Sequence, residues 1–212
     1  RFFIMTPEEA EKRELPADCL KPVLPSPRYL ETDEIESEDG SMPDIEEKRV
    51  LRSCYLPEER IAELYPTLWA YLQEGKEKGV HEGYLCSHRS VWYGQEEREP
   101  APILCSYMGR SSEGNNPFRF ILNRSAAVAP NTYLNLYPTQ RLQKLLDDRP
   151  GLLREIFEAL REITAEDLIH NGRTYGGGLH KIEPKELGNV RIYVEELMEI
   201  VKETPKQGVL PL

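Results

Sequence analysis

Three short apolar runs followed by three capped helical segments constrain this chain more than any other feature. Residues 103–107, 118–122 and 132–137 have the length and composition of strands. Gly114-Asn115-Asn116-Pro117 supplies a turn between the first two. Helical segments follow at 139–147, 150–163 and 164–169, opened by Thr139, Pro150 and Thr164. Short strands close in sequence, bracketed by helices, are expected to build an α+β fold, a central antiparallel sheet flanked by helices. A last helix is expected over 190–203, with Val190, Val194, Leu197, Met198 and Val201 on one face.

The N-terminal part reads differently. Thr6 caps a short helix, Pro7 takes its first position and Glu9 closes a capping box. Residues 15–27 hold four prolines and should be extended or turning. Residues 31–49 are acidic and poor in apolar side chains, and Gly40 and Pro43 interrupt them. They are expected to form an exposed hairpin or loop with little to order it. Residues 57–78 are helical, with Pro66 starting a second helix and Leu64, Leu68, Trp69, Tyr71 and Leu72 forming its apolar stripe, so that Trp69 belongs to the core. The expected organisation is one domain over 1–212: an acidic helical and loop-rich portion, 1–80, and a strand-containing, glycine-loop portion, 81–212.

Composition narrows the function classes. Apolar content of 39% with 30% charged residues is that of a soluble globular protein. No apolar run approaches the roughly 18 residues of a membrane helix, no signal peptide is visible, and no membrane partner is expected. The chain opens at Arg1 rather than Met and is expected to be a fragment of a longer protein or a processed one. Cys19, Cys54, Cys86 and Cys105 form no CxxC and suit a reducing cytoplasm as buried small hydrophobes. His81, Cys86 and His88 match no common zinc spacing, so no metal site is expected.

A net charge of −10 disfavours a nonspecific nucleic-acid binder. Its distribution is uneven. Residues 1–80 carry 19 acids against 11 Lys and Arg. Residues 106–144 carry five bases (Arg110, Arg119, Arg124, Arg141 and Lys144) against Glu113. Residues 170–191 carry four (Arg173, Lys181, Lys185 and Arg191) against Glu183 and Glu186.

Catalytic signatures are missing. The chain has no GxGxxG, Walker loop, HExxH or GxSxG, and no Asn/Asp/Ser-Pro-Pro-aromatic tetrapeptide of the kind that holds a flipped adenine for methyl transfer. Pro43-Asp44 with Glu46-x-Lys48 superficially resembles a nuclease set. Such sites separate the first acid from the pair, whereas here all three lie in one acidic loop, so an autonomous nuclease is not the reading adopted.

Two segments carry binding chemistry instead. Residues 171–189 place Gly176, Gly177 and Gly178 between Arg173-Thr174-Tyr175 and Lys181. Glycines adopt left-handed backbone and admit close approach of a ligand to bare peptide. Tyr175 adds a stacking face, and Arg173 and Lys181 add charge suited to phosphate. The bland alternative for this stretch is a flexible surface loop. In the middle of the chain, Arg119 alternates with Phe118 and Phe120 and should face away from them. Arg110 and Arg124 lie where strands give way to loops. Arg110, Arg119 and Arg124 are candidates for guanine or phosphate contact, and Asn123 and Asn131 for adenine edges or for loop structure.

Arg89-Ser90-Val91-Trp92-Tyr93, then Arg98, then Ala101-Pro102-Ile103-Leu104 running to Tyr107-Met108-Gly109-Arg110, resembles the C-terminal region of adenine-specific DNA methyltransferases of type II and combined restriction–modification systems. The resemblance continues through Phe120-Ile121-Leu122-Asn123-Arg124-Ser125, Ala127 and Asn131-Thr132-Tyr133. Residues 172–187, from Gly172-Arg173-Thr174-Tyr175 through the glycines to Glu186-Leu187, complete it. The opening Arg1-Phe2-Phe3-Ile4-Met5-Thr6 is similar to the point where that region begins, past the catalytic domain.

The resemblance implies a division of labour. An N-terminal Rossmann-like domain of the same parent chain would bind S-adenosylmethionine and methylate the adenine amine. A C-terminal target recognition domain, this chain, would read double-stranded DNA in the major groove and assist base flipping, with no cofactor and no catalysis of its own. The net acidity departs from that picture. It favours the rival expectation of a protein-interaction or scaffold domain docking on a catalytic partner.

Overall fold

The computed structural model describes residues 2–52, 54–110 and 116–194, and its architecture is α+β, as expected. The chain divides into two compact units. One runs to Ala101 and takes back Asn123–Pro130; the other holds Pro102–Leu122 and the residues from Asn131 onward.

The strands of the first unit are β1 (Ile4–Met5), β2 (Leu20–Pro22), β3 (Glu34–Ile35) and β4 (Val50–Arg52). β4 lies between β1 and β2, antiparallel to both. Pro22, which lacks an N–H, sits on an edge strand, where no ladder donor is lost. The N-terminal part is therefore not only helices and loops. Strands of two or three residues carry no readable alternation, which is why the sheet escaped the sequence pattern.

Helix α1 (Pro7–Lys12) has the expected capping box: the Thr6 amide donates to Glu9 Oε2 at 2.9 Å and the Glu9 amide to Thr6 Oγ1 at 3.1 Å. Pro66 ends α2 (Glu58–Leu64) and opens α3 (Pro66–Glu77), because a proline cannot continue the ladder but fits the first helical position. The break shifts the phase of the apolar stripe. Leu68, Tyr71 and Leu72 are buried, whereas Leu64, at the end of α2, is exposed. Gly75 lets the helix pack closely, since a Cβ there would lie 2.5 Å from the Phe2 ring and 2.8 Å from that of Trp92. Phe2 stacks on Tyr71 at 4.5 Å, and Tyr71 donates its hydroxyl proton to the Phe2 carbonyl. Trp69 packs against this core, as expected. The short helix α4 (Tyr84–Ser87) follows.

The acidic segment 31–49 is anchored rather than loose. Ile35 is fully buried, and its carbonyl accepts from the Arg124 amide at 2.9 Å. Asp39 closes a tight turn, accepting from the Ser41 amide and hydroxyl, both at 2.9 Å; those bonds, the backbone one first, hold its carboxyl below the ordinary range. Met42 packs against the core. One apolar anchor and one Asx-type turn thus do what low apolar content did not promise.

In the second unit β5 (Ile103–Ser106) runs almost straight into β6 (Met108–Arg110), separated only by Tyr107. β5 pairs antiparallel with both β7 (Phe120–Asn123) and β8 (Tyr133–Leu136). These are the three strands the apolar runs predicted. Helices α5 (Gln140–Asp148), α6 (Leu152–Arg161) and α7 (Ala165–Asn171) close the core, with Leu152, Ile156, Phe157, Leu160 and Leu168 buried against Ile103, Cys105, Phe120 and Leu122. Thr139 and Thr164 cap α5 and α7, their hydroxyls accepting from the amides of Leu142 and Asp167. α6 starts at Leu152, two residues later than Pro150 suggested.

Beyond α7 the chain departs from expectation. The glycine triplet is the turn of a hairpin between β9 (Arg173–Tyr175) and β10 (Leu179–Lys181), and α8 (Pro184–Leu187) follows. Residues 190–194 are not helical, and the rest of the helix expected over 190–203 lies outside the described residues. All four cysteines are free and buried, as expected.

Candidate nucleic-acid interface

The second unit carries a small three-stranded antiparallel sheet in the order β6–β10–β9. Its register sets Arg110 opposite Leu179 and Leu179 opposite Tyr175; one step on, Met108 faces Lys181 and Lys181 faces Arg173. Side chains alternate between the faces of a strand, so these six residues share one face, in two cross-strand rows with neighbours ~4.5–5.5 Å apart. That face presents three cations, an aromatic ring and a methionine. Tyr175 is 45% exposed and Met108 43%, high values for apolar side chains on a sheet. Arg110 and Arg173 are exposed as well, and Lys181 is half-buried.

On the opposite face the central strand turns inward, while Thr174 at the edge stays exposed. His180 is buried, and its Nδ1 lies 3.1 Å from Thr174 Oγ1. Gly109 allows the Pro117 backbone to cross directly beneath the strand. The sheet is fixed to the core at Tyr107, whose amide donates to the Thr132 carbonyl at 3.0 Å and whose carbonyl accepts from Ile182 at 3.2 Å.

The hairpin turn needs two of its three glycines. Gly177 and Gly178 have φ of +72° and +69°, in the left-handed region that favours glycine. At Gly176 a Cβ would meet open space. The guanidinium of Arg110 reaches toward this turn, its Nη1 lying 3.9 Å from where a Gly177 Cβ would stand.

Two of the three cations are already paired. Arg173 Nε donates to Glu186 Oε1 at 2.9 Å, and Lys181 Nζ lies 2.7 Å from Glu183 Oε1. Lys181 also sits over the Tyr107 ring at 4.7 Å, and the Tyr107 hydroxyl donates to the same Glu183 oxygen at 3.0 Å. The contact with Glu183 raises the Lys181 ammonium above its ordinary value, with Tyr107 adding to it. Hydrogen bonds from Lys181 first and Tyr107 second hold the Glu183 carboxyl low. Arg110 makes no ion pair among the described residues.

The structure therefore brings together Arg110, Arg173, Tyr175, Gly176, Gly177, Gly178 and Lys181. The remaining candidates stand apart from that sheet. Arg119, immediately before β7, is half-buried, whereas its neighbours Phe118 and Phe120 are buried; it precedes the strand, so the alternation expected of it does not apply there. Its charge acts on the Tyr133 phenol, whose pKa burial nevertheless pushes up. Asn131 is exposed in the turn before β8.

Asn123 and Arg124 belong to the other unit. Asn123 is buried with its amide fully used: Nδ2 donates to the carbonyls of Ala101 and Ala127, and Oδ1 accepts from the Ser125 amide and hydroxyl. Of its two expected roles, loop structure is the one its bonds serve. Arg124 is exposed and pairs with Glu36 at 3.2 Å. The aromatics of the stretch 89–98 serve the core: Tyr93 is buried, Trp92 packs against it, and Trp92 Nε1 donates to Glu58 at 3.2 Å.

Sequence reasoning missed Met108, Leu179, Glu183 and Glu186 as parts of this surface. β6 and β10 are three residues each, too short for alternation to show, and Glu186, in α8, reaches Arg173 across 13 positions of sequence.

Residues 1–208 match the family described as the C-terminal domain of Type II methyltransferase M.Eco57I. The chain belongs to that family. It is 34% identical over 123 residues to the Type II methyltransferase M.XamI of Xanthomonas campestris pv. amaranthicola, an alignment covering 58% of this chain and 21% of the relative. It is 30% identical over 119 residues to M.AccI of Acinetobacter calcoaceticus, also a Type II methyltransferase, covering 56% of this chain and 20% of that protein. The match thus takes in about a fifth of the length of each relative.

Proposed function

We propose that this chain is the DNA target recognition module of an adenine-specific DNA methyltransferase, with the exposed β6–β10–β9 face as its DNA-reading surface. One observation carries the reading: Met108 and Arg110 converge on one face with the hairpin residues of 173–181, which lie 63 or more positions further along the chain, and there cations are interspersed with an exposed tyrosine and methionine. Membership of a methyltransferase C-terminal family supports it. Arg110 is the base or phosphate contact, since a bidentate arginine–guanine pair discriminates by about 1–3 kcal/mol. Tyr175 offers a ring for stacking beside the groove, and Gly176–Gly178 let the hairpin backbone approach phosphates. Arg119 and Asn131 supply outlying contacts; in the other unit Arg124 is a separate candidate for DNA contact, and Asn123 shapes the loop that presents it. Contacts on both sides of the target base would help offset the few kcal/mol that base flipping costs.

S-adenosylmethionine belongs to the catalytic domain of the parent protein. The glycine triplet here joins two antiparallel strands and does not open a helix, unlike the dinucleotide-binding loop that leads into a helix N-terminus. No helix among the described residues is long and apolar enough to cross a membrane.

The test is DNA binding by the full-length protein across a salt series. Arg110→Ala should weaken binding and reduce the salt slope by about one if it contacts phosphate, or flatten discrimination at one base pair if it reads guanine. Unchanged affinity and unchanged discrimination exclude this face. A second reading, docking on a protein partner, draws on Tyr84 and Leu85, exposed at 77% and 68% on α4.

A further inference from the structure

The proposed reading face contains its own competitors for DNA. We infer that Glu183 and Glu186 act as specificity determinants, occupying Lys181 and Arg173 in the free protein so that, among the described residues of this face, random-sequence DNA meets one cation outside an ion pair, Arg110. This rests on the β6–β10–β9 face being the DNA surface.

The geometry is prearranged. Glu186 Oε2 accepts from the Glu183 amide at 2.8 Å, closing the first turn of α8, while its Oε1 accepts from Arg173 at 2.9 Å. One carboxylate therefore caps the helix with one oxygen and holds the sheet cation with the other. Glu183 is fixed in the same manner from two sides, by Lys181 at 2.7 Å and by the Tyr107 hydroxyl at 3.0 Å. Side chains already immobilised by a second bond lose little entropy in making the ion pair, so these pairs are better formed than free surface pairs of the same spacing.

A phosphate that approaches Arg173 or Lys181 either takes the carboxylate's place or binds the donors left over, Arg173 being held through Nε alone, and then meets a charge that is already compensated. The exchange roughly conserves charge-assisted hydrogen bonds, so phosphate contact alone gains little there. Cognate DNA differs because base contacts at Arg110 and Tyr175 hold the backbone in place while the exchange occurs. The device lowers affinity for all DNA and lowers it most where nothing else compensates, which is how specificity is raised by opposing the wrong ligand. It also gives the −10 net charge a local counterpart at this cationic sheet.

Glu186→Gln and Glu183→Gln in the full-length protein test this, because the glutamine Oε1 still accepts a backbone or hydroxyl proton and only the charge is lost. Binding is measured to random-sequence duplexes and to duplexes recovered from a random pool by selection on the unmodified protein. Each variant is expected to bind the random duplex about two- to fivefold tighter, the range set by partly exposed ion pairs, with a steeper salt dependence and a smaller selected-to-random ratio. Glu186→Ala, which also loses the cap, should show the same gain together with a lower Tm. If Glu186→Gln and Glu183→Gln leave random-duplex affinity unchanged or weaken it while Arg110→Ala weakens binding, the carboxylates are structural or contact DNA themselves; the inference falls and the DNA face stands. If Arg110→Ala is also without effect, the face is not the DNA surface and both fall.

Discussion

Gly109 faces the carbonyl oxygen of Pro117 so closely that a Cβ at position 109 would lie 1.5 Å from it. No rotamer change relieves such a clash, because both partners are backbone. Gly109→Ala must push β6 off the segment beneath it and loosen its pairing with His180. Overpacking of this kind costs about 1–3 kcal/mol, so Tm should fall by roughly 2–10 °C. Thermal unfolding within a degree of the unmodified protein would show that β6 sits further from Pro117 than described.

Asn123→Ala should be destabilising by about 2–4 kcal/mol. It strands the buried carbonyls of Ala101 and Ala127 and the Ser125 amide, and unsatisfied buried groups cost about 1–3 kcal/mol each, partly offset by relaxation. Denaturant unfolding measures the loss. A stable variant with altered DNA specificity would return Asn123 to the base-reading candidates.

The hairpin glycines should respond unequally. Gly176→Ala meets open space and is expected to leave both stability and DNA binding unchanged. Gly177→Val forces a β-branched residue to φ near +72°, at a cost of about 1–3 kcal/mol, and crowds the Arg110 guanidinium. It should lower Tm by a few degrees and weaken DNA binding. Equal behaviour of the two variants would mean that the turn is not held in the left-handed conformation.

No cysteine should react with a thiol reagent at neutral pH without denaturant. All four are buried, and burial pushes the Cys105 thiol up to about 12. The sign follows from a folded value above the ordinary one, 9.0. An unfolded thiol ionises near its ordinary value while the native one stays protonated, so stability is retained below pH 9 and declines as pH rises above it. Mass spectrometry after brief alkylation checks the first point, and urea titrations of the protein and of Cys105→Ala at rising pH check the second. Labelling of Cys105 in the native state would contradict its burial.

What was legible in the sequence was local chemistry with a long enough signal. The Thr6–Glu9 capping box, the Pro66 break, the Thr139 and Thr164 caps and the strands β5, β7 and β8 each announce themselves within a few residues. The N-terminal sheet did not, because strands as short as Ile4–Met5 have no period. The candidate site was half legible. Arg110, Arg173, Tyr175 and Lys181 were selected for their residue types, but nothing local says that Leu179 pairs with Arg110 on one side and Tyr175 on the other. Register between distant strands depends on how Tyr107 and Ile182 are tied together, and that is a tertiary fact. Asn123 shows the converse: its residue type suits base recognition, yet burial commits its amide to Ala101, Ser125 and Ala127.

The single residue separating β5 from β6 bears on how this surface can be altered. Two of its strands, Arg173–Tyr175 and Leu179–Lys181, form one hairpin that can be exchanged as a cassette. The third, Met108–Arg110, is the direct prolongation of a core strand and stays behind. Any transplanted hairpin inherits Arg110 as its neighbour and must offer position 179 to it in the same register. If the proposed face reads DNA, chimeras between family members should change part of the recognised sequence while leaving any portion read from position 110 unaltered, and recoding that portion would require a substitution within the scaffold itself.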